Sequence, residues 1–346
     1  FIPALLLTLP AGHVVDRLHR AHIFTACMLG QALAAGVLLL GIYADFANRE
    51  LILLVSVVLG VARAFQMPAQ QALTPQLVPT LLLQRALTLS ASAMQAAIII
   101  GPALGGLLYA GGPALVYAAS AGLLLLAGAL SMSVRYTHIR AQESASWRSL
   151  LAGVAFVWQR KVILGATTLD LFAVLLGGAT ALLPIYARDI LSVGPAGLGL
   201  LRGAPAAGAL VMTLLLVRWP LRRRVGRTLL LAVAVFGLAT VVFGLTHSFA
   251  LALAALVVCG AADSISVVMR STLVQLETPD AMRGRVSAVN SIFIGASNQL
   301  GEFESGAVAA LYGPVVSVVS GGIGTMLVAA TWFKLFPALA ERDRLE

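Results

Sequence analysis

Residues 228–246 read TLLLAVAVFGLATVVFGLT, a run of 19 positions without a charged side chain. About 20 such residues cross the hydrocarbon core of a bilayer as an α-helix. Because lipid offers the backbone no hydrogen-bond partner, long runs of this kind must be helical. The sequence therefore predicts an all-α integral membrane protein with ten complete spans and one partial span. The complete spans are 23–44, 51–73, 86–110, 113–134, 162–187, 196–217, 228–246, 249–269, 285–311 and 315–336, and the partial one is 1–15.

The overall composition excludes a soluble protein. Hydrophobic residues make up 60% of the chain and charged residues 11%, and the mean hydropathy is +0.95, whereas a soluble domain carries about a quarter charged residues. The net charge of +9 does not indicate nucleic-acid binding, because the charges fall between apolar runs rather than on one face of a folded module. Cys27 and Cys259 lie within apolar runs, where packing is their expected role, and no metal site is predicted.

The lysine and arginine positions predict the orientation of the chain. One set of alternating loops holds 19 of the 23 Lys and Arg, including Arg270, while the opposite loops hold only Arg49, Arg188 and Arg202. Positive residues accumulate in cytoplasmic loops. We therefore expect the first set of loops and the C-terminus to be cytoplasmic.

This orientation also predicts the organisation of the chain. The run at 1–15 is too short for a span, so we expect the chain to lack its first helix and part of its second. Restoring them gives twelve spans in two six-helix bundles related by a pseudo-two-fold repeat. The predicted division is a first bundle at 1–134, a cytoplasmic linker at 135–161, a second bundle at 162–336 and a cytoplasmic tail at 337–346.

The second part of the predicted linker mixes apolar and basic residues. Trp147, Leu151 and Phe156 occur together with Arg160 and Lys161. This pattern is compatible with an amphipathic surface helix or with a plain linker.

A short basic motif joins the first two apolar runs: Gly12-His13-Val14-Val15-Asp16-Arg17-Leu18-His19-Arg20. It resembles the loop between the second and third helices of the major facilitator superfamily, because Gly12, Asp16, Arg17 and Arg20 match that motif and His19 replaces its second Gly. The resemblance implies the major-facilitator fold and a cytoplasmic gate latched by this loop. In the equivalent loop of the second half, Arg223 occupies the place of the acid, so no gate role is assigned there.

Two further stretches resemble exporters of that superfamily. Gly101-Pro102-Ala103-Leu104-Gly105-Gly106 resembles their fifth-helix motif, in which small residues permit close helix contact and the proline kinks the helix. The second stretch is 278–287, which includes Asp280, Arg283 and Arg285. Together with Pro68, Pro75 and Pro79, it resembles the third drug–proton antiporter family, to which enterobactin exporters belong. This resemblance implies export of a small molecule and leaves the substrate open.

Five ionisable side chains within predicted spans are singled out, because a charged group at membrane depth costs about 2.5–3.5 kcal/mol on insertion scales. Arg63, followed by Gln66, resembles the fourth-helix Arg that the superfamily ties to proton coupling. Asp170, Asp263, Glu302 and Glu304 are candidates for proton coupling or for lining a substrate cavity. Glu302 and Glu304 are two positions apart and therefore point to different faces. The alternatives are a structural role for Arg63, interhelical ion pairs for the acids, and a solvated outer vestibule for Glu302 and Glu304.

These features predict a secondary active transporter. We expect it to export a small amphipathic molecule, such as a drug-like compound or a siderophore, by alternating access, with the substrate between the halves and protons as the coupling ion. The chain has no Gly-x-x-x-x-Gly-Lys-Ser/Thr loop, and its five His are scattered, so neither an enzyme nor a cofactor is predicted. We expect a monomer in a bacterial-type inner membrane. The alternatives are a lysophospholipid flippase and a transporter-like receptor that moves no substrate.

Overall fold

The computed structural model describes residues 7, 11, 14–15, 18–73, 76–79, 82–134, 147–219 and 224–343, and the structural statements below refer to these residues. Regular secondary structure in these ranges is helical throughout. The main helices are α1 Arg20–Tyr43, α2 Arg49–Leu73, α3 Leu83–Ala110, α4 Pro113–Met132, α5 Trp147–Gln159, α6 Lys161–Leu176, α7 Gly194–Arg218, α8 Val225–Leu245, α9 Phe249–Leu276, α10 Asp280–Tyr312 and α11 Pro314–Leu335.

The lengths and compositions of these helices confirm the prediction of an α-helical membrane protein. Eight helical segments of the described chain are long and apolar enough to cross a membrane. The two other long helices, α3 and α10, coincide with the predicted spans at 86–110 and 285–311, and α3 contains the apolar segment Ala96–Tyr109.

The chain divides into two compact units, Phe1–Ser146 and Trp147–Glu346. In the first unit, α1 packs against α2 and α4, and α4 also contacts α3. Its small apolar core contains Ala34, Leu38 and Val55, with Tyr117 packed against them.

In the second unit, α8 packs against α9 and α11, α9 packs against α7, and α6 packs against α10 and α11. Glycines bring α7 and α9 into close contact. A Cβ added at Gly260 would lie 1.8 Å from the carbonyl oxygen of Pro205, and one at Gly208 would lie 1.9 Å from that of Val257. Such small residues allow backbones to approach each other when lipid provides no hydrophobic driving force between helices.

The predicted span at 162–187 corresponds to the candidate span Lys161–Ile190, but it is not one continuous α-helix. Helix α6 ends at Leu176, and after Gly177 and Gly178 the chain continues through a 3-10 turn, three α-helical residues and the π-helical segment Tyr186–Ile190. Two consecutive glycines have low helix propensity, and Pro184 removes a backbone donor. We call residues 177–190 the interrupted segment.

Arg270 lies inside a helix rather than in a cytoplasmic loop, contrary to the prediction. Helix α9 continues to Leu276 instead of ending at residue 269. The Arg270 side chain is buried and forms an ion pair with Asp170 on α6. This pairing compensates for the burial of the cation and allows the helix to continue past it.

Residues 147–159 form helix α5, so this stretch is helical, and its location at a membrane surface stays a prediction. A Cβ at Gly153 would lie 2.8 Å from the carbonyl oxygen of Arg285 on α10, which places the two helices in close contact. Val157 is buried in a small core with Ile163 and Val274. Helix α5 is therefore packed onto the second unit, while residues 135–146 of the predicted linker lie outside the described ranges.

Candidate functional site

The second unit contains a cavity of about 180 Å³. Helices α6 to α10 and the interrupted segment all contribute to its wall, which combines apolar and polar side chains. We call it the acidic cavity because two of its lining residues are carboxylic acids. Its lining residues are Val174, Gly177, Gly178, Ala179, Thr180, Pro205, Phe236, Thr240, Phe243, Leu256, Cys259, Gly260, Asp263, Asn298 and Glu302.

The break in the α6 span forms one side of the acidic cavity. Gly177, Gly178, Ala179 and Thr180 all line it. A Cβ at Gly178 would lie 2.6 Å from the carbonyl oxygen of Gly301, so only glycine fits between this break and α10. Interrupted membrane helices expose backbone polar groups and are a feature of transporter binding sites.

The two acids of the cavity come from different helices. Asp263 on α9 is half-buried, whereas Glu302 on α10 is exposed. Within the described ranges, neither carboxylate forms an ion pair. Unpaired acids at membrane depth are costly and are therefore candidates for a functional role.

The other polar groups of the cavity are partly occupied by local hydrogen bonds. The Thr240 hydroxyl donates to the carbonyl oxygen of Phe236 at 2.9 Å, and the Asn298 amide donates to that of Ile294 at 2.8 Å. The Oδ1 atom of Asn298 remains able to accept a hydrogen bond. The cavity thus presents acceptors rather than positive charge to a ligand.

A smaller cavity of about 20 Å³ adjoins the acidic cavity. Both are lined by Val174, Phe236 and Asp263, and the smaller one also reaches Asp170 and Ser266. Its volume is enough for one water molecule. Asp263 therefore lies between the buried Asp170–Arg270 pair and the acidic cavity.

The structure brings together three of the five ionisable residues predicted from the sequence. Asp170, Asp263 and Glu302 line the two adjoining cavities. Glu304 is half-buried on α10 and is not among the lining residues of either cavity. Arg63 belongs to the first unit, where it is exposed on α2.

The structure describes only part of the predicted gate residues. Gly12, Asp16 and Arg17 lie outside the described ranges. Arg20 begins helix α1 and is buried, with 6% of its surface exposed. Its role in a gate stays a prediction.

The loop motif of the second half falls at the beginning of α10. Asp280 and Arg283 belong to its first turn, and their side chains lie outside the described part of the structure. The exposed Arg285 places its Nη1 atom 3.6 Å from the sulfur of Met282.

The predicted exporter motif lies within helix α3. Pro102 is inside this helix and half-buried, as are Gly105 and Gly106. A Cβ at Gly101 or Gly105 would meet no described atom within 4 Å. The described residues therefore show no close helix contact at these two glycines.

Several lining residues were not singled out from the sequence although their spacing carries a signal. On α9, Leu256, Cys259, Gly260 and Asp263 follow the i, i+3, i+4, i+7 spacing of one helix face. Asn298 lies one turn before Glu302 on α10. A search outward from each intramembrane acid at helical spacing would have found them. Across the described ranges, no group of three or more His, Cys, Asp and Glu is arranged to hold a metal ion.

Comparison with known proteins relates the chain to one family. The model of the Major Facilitator Superfamily matches residues 1–302. Two curated relatives are each 28% identical to this chain over 260 residues, which is 74% of this chain and 62% of each relative. They are the enterobactin exporters EntS of Shigella boydii serotype 18 and of Escherichia coli O139:H28. The matched region thus spans less than two thirds of the length of these curated relatives.

Solved structures of low sequence identity share the fold. A bacterial homologue of the human lysosomal transporter Spinster, in an inward-facing and unoccupied conformation, gives a TM-score of 0.73 at 14% identity, over 99% of this chain and 89% of the other. The nucleoside transporter NupG gives a TM-score of 0.71 at 14% identity, over 97% of this chain and 88% of the other. The chain belongs to the Major Facilitator Superfamily.

Proposed function

We propose that this protein is a secondary active transporter that exports a small amphipathic molecule in exchange for protons. Membership of the superfamily supports transport, and the 28% identity to enterobactin exporters supports export. We further propose that the protein resides in a bacterial-type inner membrane, that its C-terminus is cytoplasmic, and that the Gly12–Arg20 loop serves as the cytoplasmic gate.

The acidic cavity is the observation that carries proton coupling. Asp263 and Glu302 share this cavity, and within the described ranges neither is neutralised by a cation. Carboxylates in this situation are the groups through which membrane transporters accept and release protons. Asp170 is distinguished from them by its pairing with Arg270. We assign proton binding to Asp263 and Glu302 and a structural role to Asp170.

The lining of the cavity supports an amphipathic substrate. Phe236, Phe243 and Leu256 offer an apolar surface, while Asp263 and Glu302 accept hydrogen bonds or attract a positive group. The volume of about 180 Å³ is below the 300–1,000 Å³ typical of sites for whole drug-sized ligands. This cavity would therefore hold the part of the substrate that carries both an aromatic group and a hydrogen-bond donor.

Exchange follows if protons and substrate compete for the same carboxylates. Deprotonated Asp263 and Glu302 bind the donor group of the substrate. Protonation removes their negative charge and weakens that binding, so the substrate leaves. The coupling is reciprocal, because bound substrate must weaken proton binding by the same factor. Arg63 contributes a positive charge at span depth in the first unit, and we propose that it also takes part in coupling.

Transport by the full-length protein in proteoliposomes tests this proposal. A catecholate siderophore and a lipophilic cationic dye serve as labelled probes, with a pH gradient imposed in the absence of ATP. We expect at least one probe to accumulate against its gradient and an uncoupler to abolish the accumulation. Proton coupling would be refuted if the probe moved only down its own concentration gradient and the uncoupler did not change the flux. Absence of flux for both probes and for a panel of related compounds would favour a receptor without transport.

A further inference from the structure

Helix α5 is too short to cross the membrane although most of its side chains are apolar. Its 13 residues are about 20 Å long at 1.5 Å per residue, against about 30 Å for the hydrocarbon core. Gly153 and Val157 fix one side of the helix to the second unit.

The side of α5 that faces away from the rest of the second unit carries large apolar side chains. Leu151 is 63% exposed, Val154 is 40% exposed and Trp158 is 72% exposed. Their i, i+3, i+7 spacing places them on one stripe of the helix. We call these three residues the outer stripe. An apolar stripe of this kind is costly in water and favourable in lipid.

The contacts of α5 place it at the level where membrane helices begin and end. Its buried side packs against Ile163 near the start of α6, Val274 near the end of α9, and Val286 near the start of α10. Only Arg160 separates α5 from α6, and its extended backbone (φ −99°, ψ 96°) breaks the helix there. Helix α5 therefore shares a core with residues near the ends of these helices rather than with residues at their centres.

The charges around the outer stripe are positive. The sequence of α5 contains no acidic residue. Arg160 and Lys161 lie two and three positions after the exposed Trp158, and both are themselves exposed. The Arg160 guanidinium lies 5.6 Å from the ring centre of Phe156, so its stem follows the helix while its charge stays accessible. An apolar stripe, a Trp and adjacent cations together characterise helices in the plane of a membrane surface.

We propose that α5 lies in the membrane–water interface and that Arg160 and Lys161 bind the phosphate headgroups of anionic lipids. The outer stripe enters the boundary between headgroups and acyl chains, with Trp158 at the headgroup level. Cations near an anionic surface each strengthen binding roughly fivefold. Because α5 also packs on α10, which carries Glu302, lipid binding anchors an element that contacts the wall of the acidic cavity. The proposal does not depend on the direction or coupling of transport.

The depth of Trp158 tests the first half of the proposal. The protein is reconstituted in phosphatidylcholine brominated either near the headgroup or near the chain ends. The fluorescence lost in Trp158→Phe reports this one residue among the four Trp. We expect the shallow bromines to quench that component more strongly than the deep ones. If neither lipid quenches it and aqueous acrylamide does, the interfacial placement is wrong.

The lipid specificity of the basic pair tests the second half. Wild type is expected to unfold at a higher temperature in phosphatidylcholine vesicles that contain phosphatidylglycerol than in vesicles without it, because a ligand of the folded state stabilises that state. The double variant Arg160→Gln/Lys161→Gln should lose most of this increase. Lys334→Gln, which removes an exposed cation from the last turn of α11, is the matched control and should retain it.

Two results would overturn the headgroup assignment. One is a wild-type protein whose unfolding temperature does not respond to phosphatidylglycerol. The other is a double variant that responds as fully as the wild type. Arg160→Lys keeps the charge and should keep the response, which separates loss of lipid binding from a general effect of substitution in α5.

Discussion

Asp263 on α9 and Glu302 on α10 line the same cavity, and within the described ranges neither is ion-paired. Asp170, one small cavity away, is paired with Arg270. Three acids that look equivalent in the sequence are thereby separated into two kinds. A paired and buried acid stabilises the fold when its partner is present, whereas unpaired acids in a cavity are available to protons and ligands.

The Asp170–Arg270 pair is expected to behave as a structural unit. Arg270→Met alone leaves a buried carboxylate without its partner and should lower the free energy of unfolding by about 3–5 kcal/mol. The double variant Asp170→Asn/Arg270→Met should be less destabilised than that single variant, since no uncompensated charge remains. Denaturant unfolding in detergent measures the free energies of unfolding of the wild type, the two single variants and the double variant. Additive single effects, or loss of pH-driven transport in a folded double variant, would contradict the structural role.

The two glutamates of α10 should differ in function although only one residue separates them. Glu302→Gln removes a negative charge from the lining of the acidic cavity and should raise the substrate concentration for half-maximal transport about tenfold, the equivalent of one charge-assisted hydrogen bond. Glu304→Gln is the matched control, because Glu304 does not line the cavity. Concentration-dependent transport in proteoliposomes distinguishes them, and equal effects in the two variants would show that the cavity is wrongly assigned.

The contact between α7 and α9 predicts a strict requirement for glycine at position 260. A Cβ there would lie 1.8 Å from the Pro205 carbonyl oxygen, which belongs to the backbone and cannot rotate away. Gly260→Ala should therefore lower the unfolding temperature and alter the cavity wall. Gly295→Ala is the control, because its Cβ meets no described atom within 4 Å and alanine favours helices by about 1 kcal/mol. A Gly260→Ala protein as stable as this control would contradict the packing described.

The segment after α11 is packed onto the second unit. Leu339 is fully buried in a core with Leu229 and Leu273, and the Arg342 guanidinium lies 2.8 Å from the Glu277 carboxylate. Leu339→Ala should cost about 2–5 kcal/mol in the free energy of unfolding because it leaves a cavity. Arg342→Ala should cost at most about 1 kcal/mol, since this pair is partly exposed to solvent. Equal costs for the two substitutions would contradict the packing of Leu339.

The lengths of the apolar runs were sufficient to predict the membrane fold. The span read as 228–246 is helix α8 at Val225–Leu245, because 19 uncharged residues have no alternative in lipid. The break after Leu176 was missed, since the hydropathy of 162–187 is continuous across Gly177 and Gly178. Both glycines and Pro184 were visible signals, yet whether they interrupt a helix depends on how α10 packs against them.

The candidate site was only partly predictable from the sequence. The free-energy cost of placing a charged side chain within the membrane identified Asp170, Asp263 and Glu302 as candidates. Their different roles depend on Arg270, which the sequence assigned to a loop because it follows an apolar run directly. Whether an arginine at the edge of a run lies in water or pairs inside a bundle is decided by a partner 100 positions away in the sequence. Linear patterns do not encode that proximity.

Transport by Asp263→Asn in proteoliposomes tests the central claim most directly. Two quantities are compared with wild type: accumulation of the substrate driven by a pH gradient, and exchange of labelled for unlabelled substrate without a gradient. Asparagine keeps the size and hydrogen-bonding capacity of the side chain but cannot release a proton. Because the neutral side chain binds substrate more weakly, exchange is measured at saturating substrate, and we predict that the variant retains this exchange and loses gradient-driven accumulation. Accumulation at the wild-type level in Asp263→Asn would contradict proton coupling through the acidic cavity.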